Sequence, residues 1–359
     1  MTELELIRRF PQASAIPHVE LGDLPTPVES LDELGAEVGI DQLWVKRDDL
    51  TSSLYGGNKV RKLEFLLGHA KAEGRRQVWT VGAIGSHHVL ATSLFARELD
   101  IEPRALHFPQ PLTDHVCEVL QALSTTRPDL ELVDSKNVLP VKLAQRRVRD
   151  WLSRSKDPYY IPGGGSSPRG VLGYINAAFE LARQIDDGEL PEPEVIFVAA
   201  GTCGTLAGLT LGAKMAELSC EVIGVRVVDK VLANSLVTAN LANRAGRLLA
   251  EFDIEVPRIR ARDVTLLDEQ FGPGYGEETP EGLAAIELAL RYAPFELDPT
   301  YTAKAFAGLL AHCRDSSPPP SRVLYWHTLS SADLGELVEG ADIEGDLPEK
   351  YQKFFDGRE

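Results

Sequence analysis

The sequence predicts an α/β fold built around parallel β-strands. Short apolar runs rich in β-branched residues alternate with longer amphipathic segments, which is the order expected when helices connect parallel strands. Two glycine-rich turns also stand between an apolar run and a helical pattern, at residues 82–86 and 201–205. The predicted strands are 42–46, 77–81, 104–108, 194–200, 221–227 and 322–326. The predicted helices are 58–73, 87–99, 140–156, 173–186, 205–218, 230–252, 281–291 and 303–314.

The composition is that of a globular protein with room for a large core. The chain has 359 residues, 43% of them hydrophobic and 25% charged, which predicts two domains. Its four cysteines form no CxxC pair, which disfavours a disulfide framework or a zinc site and fits a reducing cytoplasm. We find neither an apolar stretch of membrane-spanning length nor a secretory pattern, so we expect a cytoplasmic protein. The formal net charge of -17 argues against nucleic acid or an anionic membrane as partner.

The glycine-rich turn at residues 201–205, called here the 201–205 turn, is the clearest candidate binding element. It follows an apolar strand and opens a helix, where backbone N–H groups and the helix dipole stabilise an anion. Glycines allow close approach, and Thr202 and Thr205 add hydroxyl donors. The turn matches neither GxGxxG nor the GK[ST] ending of a nucleotide loop, so a single phosphate fits best. The alternative is a tight turn whose glycines serve packing alone.

Lys59 is the candidate nucleophile. It follows Gly56, Gly57 and Asn58 at the start of a predicted helix and lies beside further basic residues. A positive helix end and cationic neighbours lower the pKa of an amine, which favours the neutral form that attacks an aldehyde. Taken alone, such a basic run is more typical of a solvated helix face.

A second strand-to-helix turn presents the hydroxyl of Ser86. Such a turn can hold a substrate carboxylate, and a hydroxyl there can move protons, although Ser86 can equally serve as a helix N-cap. The adjacent His87 and His88 point about 100° apart on a helix, which disfavours a metal site.

Tyr275 and Tyr301 complete the candidate residues. Each stands next to glycine or proline turns, where a tyrosine can present its hydroxyl to a cleft or simply pack.

Together these elements resemble the D-cysteine desulfhydrase and 1-aminocyclopropane-1-carboxylate deaminase family, within the tryptophan-synthase-β-like, fold type II pyridoxal phosphate enzymes. The resemblance spans nearly the whole chain, and the run Gly-Gly-Asn-Lys-x-Arg-Lys-Leu-Glu at residues 56–64 is specific to that family. The matching segments are 24–27, 45–50, 56–64, 163–174, the 201–205 turn and 298–308.

The resemblance implies a role for each matching residue. The implied catalytic residues are Lys59, which would bind the cofactor covalently, Ser86, Tyr275 and Tyr301. The implied ligands of pyridoxal 5'-phosphate are Lys59, Asn58, Lys62, His87, Gly201, Thr202, Cys203, Gly204, Thr205, Thr302 and Thr328.

The resemblance also implies an architecture and a homodimer. It implies two open twisted sheets with helices on both faces, the smaller domain inserted in the larger and the cofactor in the cleft. The domains would be 1–59 with 166–359, large and cofactor-binding, and 60–165, small.

The implied reaction is that of a lyase or deaminase acting on a small amino acid, with hydrolase as a further class because water releases the keto acid and ammonia. Family members that open the cyclopropane carry glutamate and leucine where this chain has Thr302 and Thr328, so β-elimination from D-cysteine is favoured.

The chain departs from the family at His87, usually asparagine, and at Leu329, usually glycine. A racemase, a β-replacement enzyme and a non-catalytic sensor therefore stay open. A nicotinamide enzyme is disfavoured, because no GxGxxG with a later acidic partner occurs.

Overall fold

The computed structural model describes residues 3–135, 138–153, 157–338 and 347–352. Its strands are β1 Val28–Ser30, β2 Gln42–Arg47, β3 Gln77–Ala83, β4 Glu102–Phe108, β5 Asp129–Leu132, β6 Tyr159–Tyr160, β7 Val195–Ala200, β8 Glu221–Arg226, β9 Thr265–Leu267 and β10 Arg322–His327. Its helices are α1 Glu5–Arg9, α2 Asp32–Val38, α3 Lys59–Ala72, α4 His87–Glu98, α5 Asp114–Thr125, α6 Leu139–Ser153, α7 Pro168–Asp186, α8 Gly204–Met215, α9 Ser235–Ala250, α10 Pro280–Tyr292, α11 Thr302–Asp315, α12 Leu334–Val338 and α13 Glu349–Gln352. Short 3-10 turns are Pro11–Ala15, Asp48–Leu50, Gly163–Gly165, Ala261–Asp263 and Glu269–Phe271.

The chain divides into two compact units. The first contains Met1–Phe65 and Ser166–Ser331, and the second contains Leu66–Gly165 and Ala332–Glu359. Each unit has its own sheet flanked by helices, which confirms the predicted α/β class with two sheets. The predicted domain boundaries stay a prediction, and residues 154–156 of the predicted helix 140–156 lie outside the described residues.

The sheet of the first unit has the strand order β1-β2-β10-β7-β8-β9 among the described residues. All neighbours pair in parallel except β1 with β2. β7 is apolar and buried at every position, as expected for a central parallel strand covered on both faces. Its alternate residues enter two separate cores: Ile196 packs with Leu206 of α8, whereas Phe197 packs with Phe306 of α11. Helices therefore cover both faces of this sheet.

The sheet of the second unit has the order β5-β4-β3-β6 with parallel pairing throughout the described strands. Its core is built on Trp79 and Val81 of β3 and Leu106 of β4. His107 of β4 is buried and its Nδ1 lies 3.1 Å from the Tyr351 hydroxyl. Among the described residues, no helix combines the length and apolarity needed to cross a membrane.

Candidate active site

Most of the predicted site residues lie in the first unit. Those residues are Asn58, Lys59, Lys62, the five residues of the 201–205 turn, Tyr275, Tyr301, Thr302 and Thr328. Ser86 and His87 belong to the second unit.

Two glycines shape the entry to the helix that carries Lys59. A Cβ on Gly56 would lie 1.8 Å from the carbonyl oxygen of Asp49. Gly57 has a φ of +87°, and a Cβ there would lie 2.9 Å from the carbonyl oxygen of Thr328. Both positions therefore require glycine, which lets the chain turn sharply and start α3 at Lys59.

The Lys59 amine has an acidity suited to a nucleophile. Removal of the amine from solvent lowers its pKa to about 8, and the negative charge of Asp298 opposes part of that shift. The predicted lowering of the pKa is confirmed, but its main cause is burial and not the helix end or the neighbouring cations. Roughly a tenth of such amines are neutral at pH 7.

Asn58 joins Lys59 to the 201–205 turn. The Lys59 Nζ donates a hydrogen bond to Asn58 Oδ1. Asn58 Nδ2 donates in turn to the hydroxyl oxygen of Thr205 at 3.1 Å. One amide side chain therefore connects the candidate nucleophile with the candidate phosphate turn.

The 201–205 turn has the geometry of an anion site. Cys203 has a φ of +63° and α8 begins at the next residue, so the first N–H groups of the helix face the turn. Ser166 supports it: its Oγ accepts from Gly204 N at 3.1 Å and lies 2.6 Å from Thr202 Oγ1. A Cβ on Gly204 would lie 2.4 Å from Ser166 Oγ. Ser166 lies in a glycine-rich run at residues 162–167, and nothing in the sequence pattern assigns it to this turn.

Lys62 adds a positive charge close to the turn. The side chain is 3% exposed and interacts electrostatically with Cys203. Burial, followed by the charge of Lys59, lowers the pKa of Lys62 well below its usual value. A phosphate beside Lys62 would favour its charged form. Helix N–H groups, hydroxyls and a buried amine together fit a phosphate monoester.

Tyr275 and Tyr301 form a hydroxyl pair. Their hydroxyl oxygens lie 2.5 Å apart and their rings meet edge to face with centroids 6.0 Å apart. The Tyr301 ring lies against the turn, because a Cβ on Gly201 would be 3.4 Å from it. Desolvation raises the pKa of both phenols, so both keep their protons at neutral pH. The structure thus brings together two residues that are 26 positions apart in sequence.

Thr302 and Thr328 lie at the ends of neighbouring elements of this unit. Thr302 starts α11 and its hydroxyl lies 2.6 Å from Asp298 Oδ2. Thr328 follows β10, and its carbonyl oxygen accepts from Asn58 N at 3.2 Å. The preceding residue, His327, is buried against Phe295 with ring centroids 4.4 Å apart, and burial lowers its pKa to about 4.

A buried ionic network anchors α3 behind the site. Arg61 donates to Asp48 Oδ1 at 2.8 Å and to Glu180 Oε2 at 2.8 Å, and Lys46 donates to Glu180 Oε1 at 2.6 Å. All four side chains are at most 2% exposed, and their two positive and two negative charges balance. Burial alone would raise the pKa of Glu180, but Arg61 and Lys46 hold it well below its usual range.

Asp48 links this network to the segment before Lys59. Its Oδ2 accepts from the Tyr174 hydroxyl at 2.6 Å and from the Trp326 indole at 2.7 Å. Its backbone oxygen accepts from Gly57 N at 2.8 Å. The sequence offers a cue to this role only in the run of charges at residues 46–49, which pattern alone would assign to the surface.

In the second unit, Ser86 is the N-cap of α4, and its Oγ accepts from Val89 N at 3.4 Å. The predicted capping role is therefore confirmed. His87 Nε2 lies 2.9 Å from His115 Nε2, and His88 Nε2 lies 2.9 Å from Thr80 Oγ1. Within the described ranges, no group of three or more His, Cys, Asp or Glu residues could hold a metal ion.

Comparison with known proteins identifies the family. The family model for pyridoxal-phosphate dependent enzymes matches residues 19–328. The chain belongs to this family. This pyridoxal-phosphate-dependent enzyme is 34% identical over 335 residues to a D-cysteine desulfhydrase of Klebsiella pneumoniae strain 342, covering 90% of this chain and 95% of that one. It is also 34% identical over 324 residues to a Pyrococcus horikoshii protein named provisionally as a 1-aminocyclopropane-1-carboxylate deaminase, covering 89% and 93% of the two chains.

Solved structures agree with this family assignment. A crystal structure of an ACC deaminase homologue matches with a TM-score of 0.78 and 30% identity, covering 97% of this chain and all of the other. A threonine deaminase from Solanum lycopersicum matches with a TM-score of 0.60 at 17% identity, which shows the fold. The predicted family, the cofactor and the lyase or deaminase class are confirmed, and the predicted hydrolase class is wrong because the named relatives are lyases.

Proposed function

We propose that this enzyme eliminates the thiol of D-cysteine and releases hydrogen sulfide, pyruvate and ammonia. The relative from Klebsiella pneumoniae supports D-cysteine as the substrate. The observation that carries the choice of elimination is the environment of Thr302, a buried hydroxyl bonded to Asp298 where family members that open a cyclopropane carry glutamate. A hydroxyl there protonates a pyridine nitrogen less readily than a carboxylic acid does.

The residues of the first unit supply a coherent cofactor site. We propose that Lys59 Nζ binds the cofactor covalently and that the 201–205 turn, with Lys62, binds its phosphate. Asn58, Thr302 and Thr328 would complete the site in this unit. Ser86 and His87 stay predictions from the family resemblance. Pyridoxal phosphate, when bound, supplies a ring that stabilises negative charge on the α-carbon of an amino acid.

Proton transfers fall to Lys59 and the tyrosine pair. Lys59 Nζ is a desolvated amine with a pKa of about 8, and as a free amine it would accept the α-proton of the bound amino acid. The Tyr275 and Tyr301 hydroxyls, 2.5 Å apart and protonated, can donate a proton to the leaving sulfur. The α-proton leaves, and the sulfur leaves with the C–S bonding pair. Water then releases pyruvate and ammonia, so no oxidant is needed.

A second candidate is opening of 1-aminocyclopropane-1-carboxylate. The Pyrococcus horikoshii relative and the ACC deaminase homologue structure favour it, each at 30% identity or more. The two reactions give different keto acids, because elimination from cysteine yields pyruvate and ring opening yields ketobutyrate.

A product screen separates these candidates. The full chain, loaded with pyridoxal phosphate, is offered D- and L-cysteine, β-chloro-D-alanine and 1-aminocyclopropane-1-carboxylate, with Lys59→Ala as the inactive control. We expect pyruvate from D-cysteine and β-chloro-D-alanine. Ketobutyrate from the cyclopropane substrate would contradict the proposal, and bound cofactor without turnover would favour the sensor.

The location and the assembly are proposals as well. The cysteine usage supports a cytoplasmic protein, and the family resemblance supports a homodimer. Sedimentation equilibrium of the full chain tests the assembly, and a monomer at micromolar concentration would contradict it.

A further inference from the structure

The side-chain carboxylate of Asp298 accepts hydrogen bonds from the residues that lead into α11. One oxygen, Oδ1, accepts from Thr300 N at 2.9 Å and from Tyr301 N at 2.7 Å. The other, Oδ2, accepts from Thr302 N at 3.0 Å and from Thr302 Oγ1 at 2.6 Å. The residue is 6% exposed. Four donors converging on one buried carboxylate hold the backbone at Tyr301 in one conformation.

The charge of the same carboxylate also acts on reactive groups of this unit. Its charge acts on seven residues: one of α3, one of the segment before α3, one of the loop before α10, one just before α11, one of α11 and two of β10. These are Lys59, Tyr55, Tyr275, Tyr301, Lys304, Tyr325 and His327. In every case the negative charge favours the protonated form.

The neighbours of these groups carry other charges that act in addition. His327 also interacts with the charges of Asp48, Asp49 and Arg47, and Lys304 with that of Glu277. For Lys59, burial lowers the pKa of the amine, and the negative charge of Asp298 raises it. Burial and Asp298 also act together on Tyr55, and Lys59 interacts in addition with the charge of Lys62. Lys59 is the group among these whose titration can be followed through its reaction with the cofactor.

We propose that Asp298 is a positioning residue for the Tyr275 and Tyr301 pair, fixing the backbone at Tyr301, and that its negative charge acts on Lys59. The part that concerns the tyrosines rests on the proposed function. The part that concerns Lys59 does not, because it can be measured without a substrate.

Two variants of the full chain remove the charge while each keeps a different part of the hydrogen bonding. Asp298→Asn keeps the size and one acceptor, and Asp298→Ser keeps a hydroxyl acceptor typical of helix starts while removing the charge. Asp263→Asn is the matched control, since Asp263 also accepts a backbone N–H, from Arg260 at 2.8 Å, but is exposed in another loop. Circular dichroism checks that each variant folds.

The first measurement is the pH dependence of the rate at which cofactor-free chain captures pyridoxal phosphate. Only the neutral Lys59 amine attacks the aldehyde, so the midpoint reports its pKa. The unaltered chain and Asp263→Asn should share a midpoint near 8. Both Asp298 variants should shift it down by about one unit. An unshifted midpoint in both variants would overturn the electrostatic part of the proposal.

The second measurement is a double-variant cycle on turnover. Asp298→Asn should lower kcat by about tenfold or more with a smaller effect on KM. Measured at pH 9, where the Lys59 amine is largely neutral with or without the Asp298 charge, the combination with Tyr301→Phe should lower kcat by no more than about threefold beyond Tyr301→Phe alone, because both changes then remove the positioned tyrosine hydroxyl. Independent, multiplying losses would overturn the positioning role, as would failure of both Asp298 variants to fold. If the unaltered chain turns over no amino acid, the proposed function fails while the capture midpoint still tests Asp298.

Discussion

Asn58 Nδ2 donates to Thr205 Oγ1 across 3.1 Å, so the residue that precedes the candidate nucleophile is tied to the candidate phosphate turn. The same amide accepts from Lys59 Nζ through its oxygen. The two ends of the proposed cofactor site are thus held by one side chain, before any contribution from a bound ligand. Such preorganisation lowers the cost of binding.

Replacing Asn58 should therefore weaken cofactor binding. Asn58→Ala removes both hydrogen bonds of the amide, and we expect the dissociation constant for pyridoxal phosphate to rise about tenfold, equal to roughly 1.4 kcal/mol. An absorbance titration of cofactor into the full chain measures it. Gln77→Ala is the control, since the Gln77 amide bonds Glu102 on the surface of the second unit. Unchanged affinity in Asn58→Ala would contradict a role in the site.

A side chain at Gly204 should clash with Ser166, and a second substitution at Ser166 should relieve part of that clash. Gly204→Ala places a methyl group 2.4 Å from Ser166 Oγ and 3.2 Å from its Cα, so we expect cofactor affinity to fall by about tenfold or more. Adding Ser166→Gly removes the closest contact and should restore part of the affinity. Gly163→Ala is the control, as its Cβ would meet only ordinary contacts from 3.5 Å outward. Equal affinities for the single and double variants would show that the clash is not the cause.

Breaking the buried ionic network should destabilise the fold. Arg61→Met leaves Asp48 and Glu180 facing one remaining cation, Lys46, and we expect about 3–5 kcal/mol loss in the free energy of unfolding. Urea unfolding at pH 7 measures the loss. Arg104→Ala, which removes an ion pair with Asp129 whose side chains are 26% and 61% exposed, should cost less than about 1 kcal/mol. Similar losses in the two variants would contradict the account of the network.

The rate at which Lys59 captures the cofactor should rise with pH. Because desolvation lowers the pKa of Lys59 to about 8, the neutral fraction of its amine rises with pH and reaches one half near pH 8. The rate of capture should rise about tenfold between pH 6 and pH 7 and level off above pH 9. Lys59→Ala provides the background from other lysines. A rate that keeps rising towards pH 10.5 would indicate an ordinary exposed amine instead.

The longer elements of the fold follow from the sequence. Strand β7 is a run of apolar residues bounded by turns, and α7, α8 and α11 carry clear helical spacing, so their predicted positions differ from the observed bounds by a few residues. α9 begins at Ser235 and not at residue 230, because Asn234 caps it by accepting from Val237 N at 2.9 Å. The prediction does not include α5, although Val116, Leu120 and Leu123 have helical spacing and Thr113 caps the helix. Strands of two to four residues, such as β5 and β6, carry too little alternation to be recognised.

The composition of the candidate site could be predicted only in part. Motifs mark Lys59, the 201–205 turn and both tyrosines, because glycine turns and helix starts leave a local signature. The connection of Asn58 with Thr205 spans 147 positions and leaves none. The contacts of Ser166 with Thr202 and Gly204 are long-range too and leave no signature. Asp298 bonds only residues two to four positions later, but an aspartate before a proline is common in turns and so does not mark a site.

The central claim is that Lys59 binds the cofactor, and trapping it with borohydride tests that claim most directly. The loaded full chain is reduced, digested and examined by peptide mass spectrometry, with the buried Lys62, three residues later, as the internal comparison. We predict a pyridoxyl group on Lys59, an unmodified Lys62 and loss of the visible absorbance of the bound cofactor. Modification of Lys62 in place of Lys59, or no modified lysine in the chain, would contradict the account.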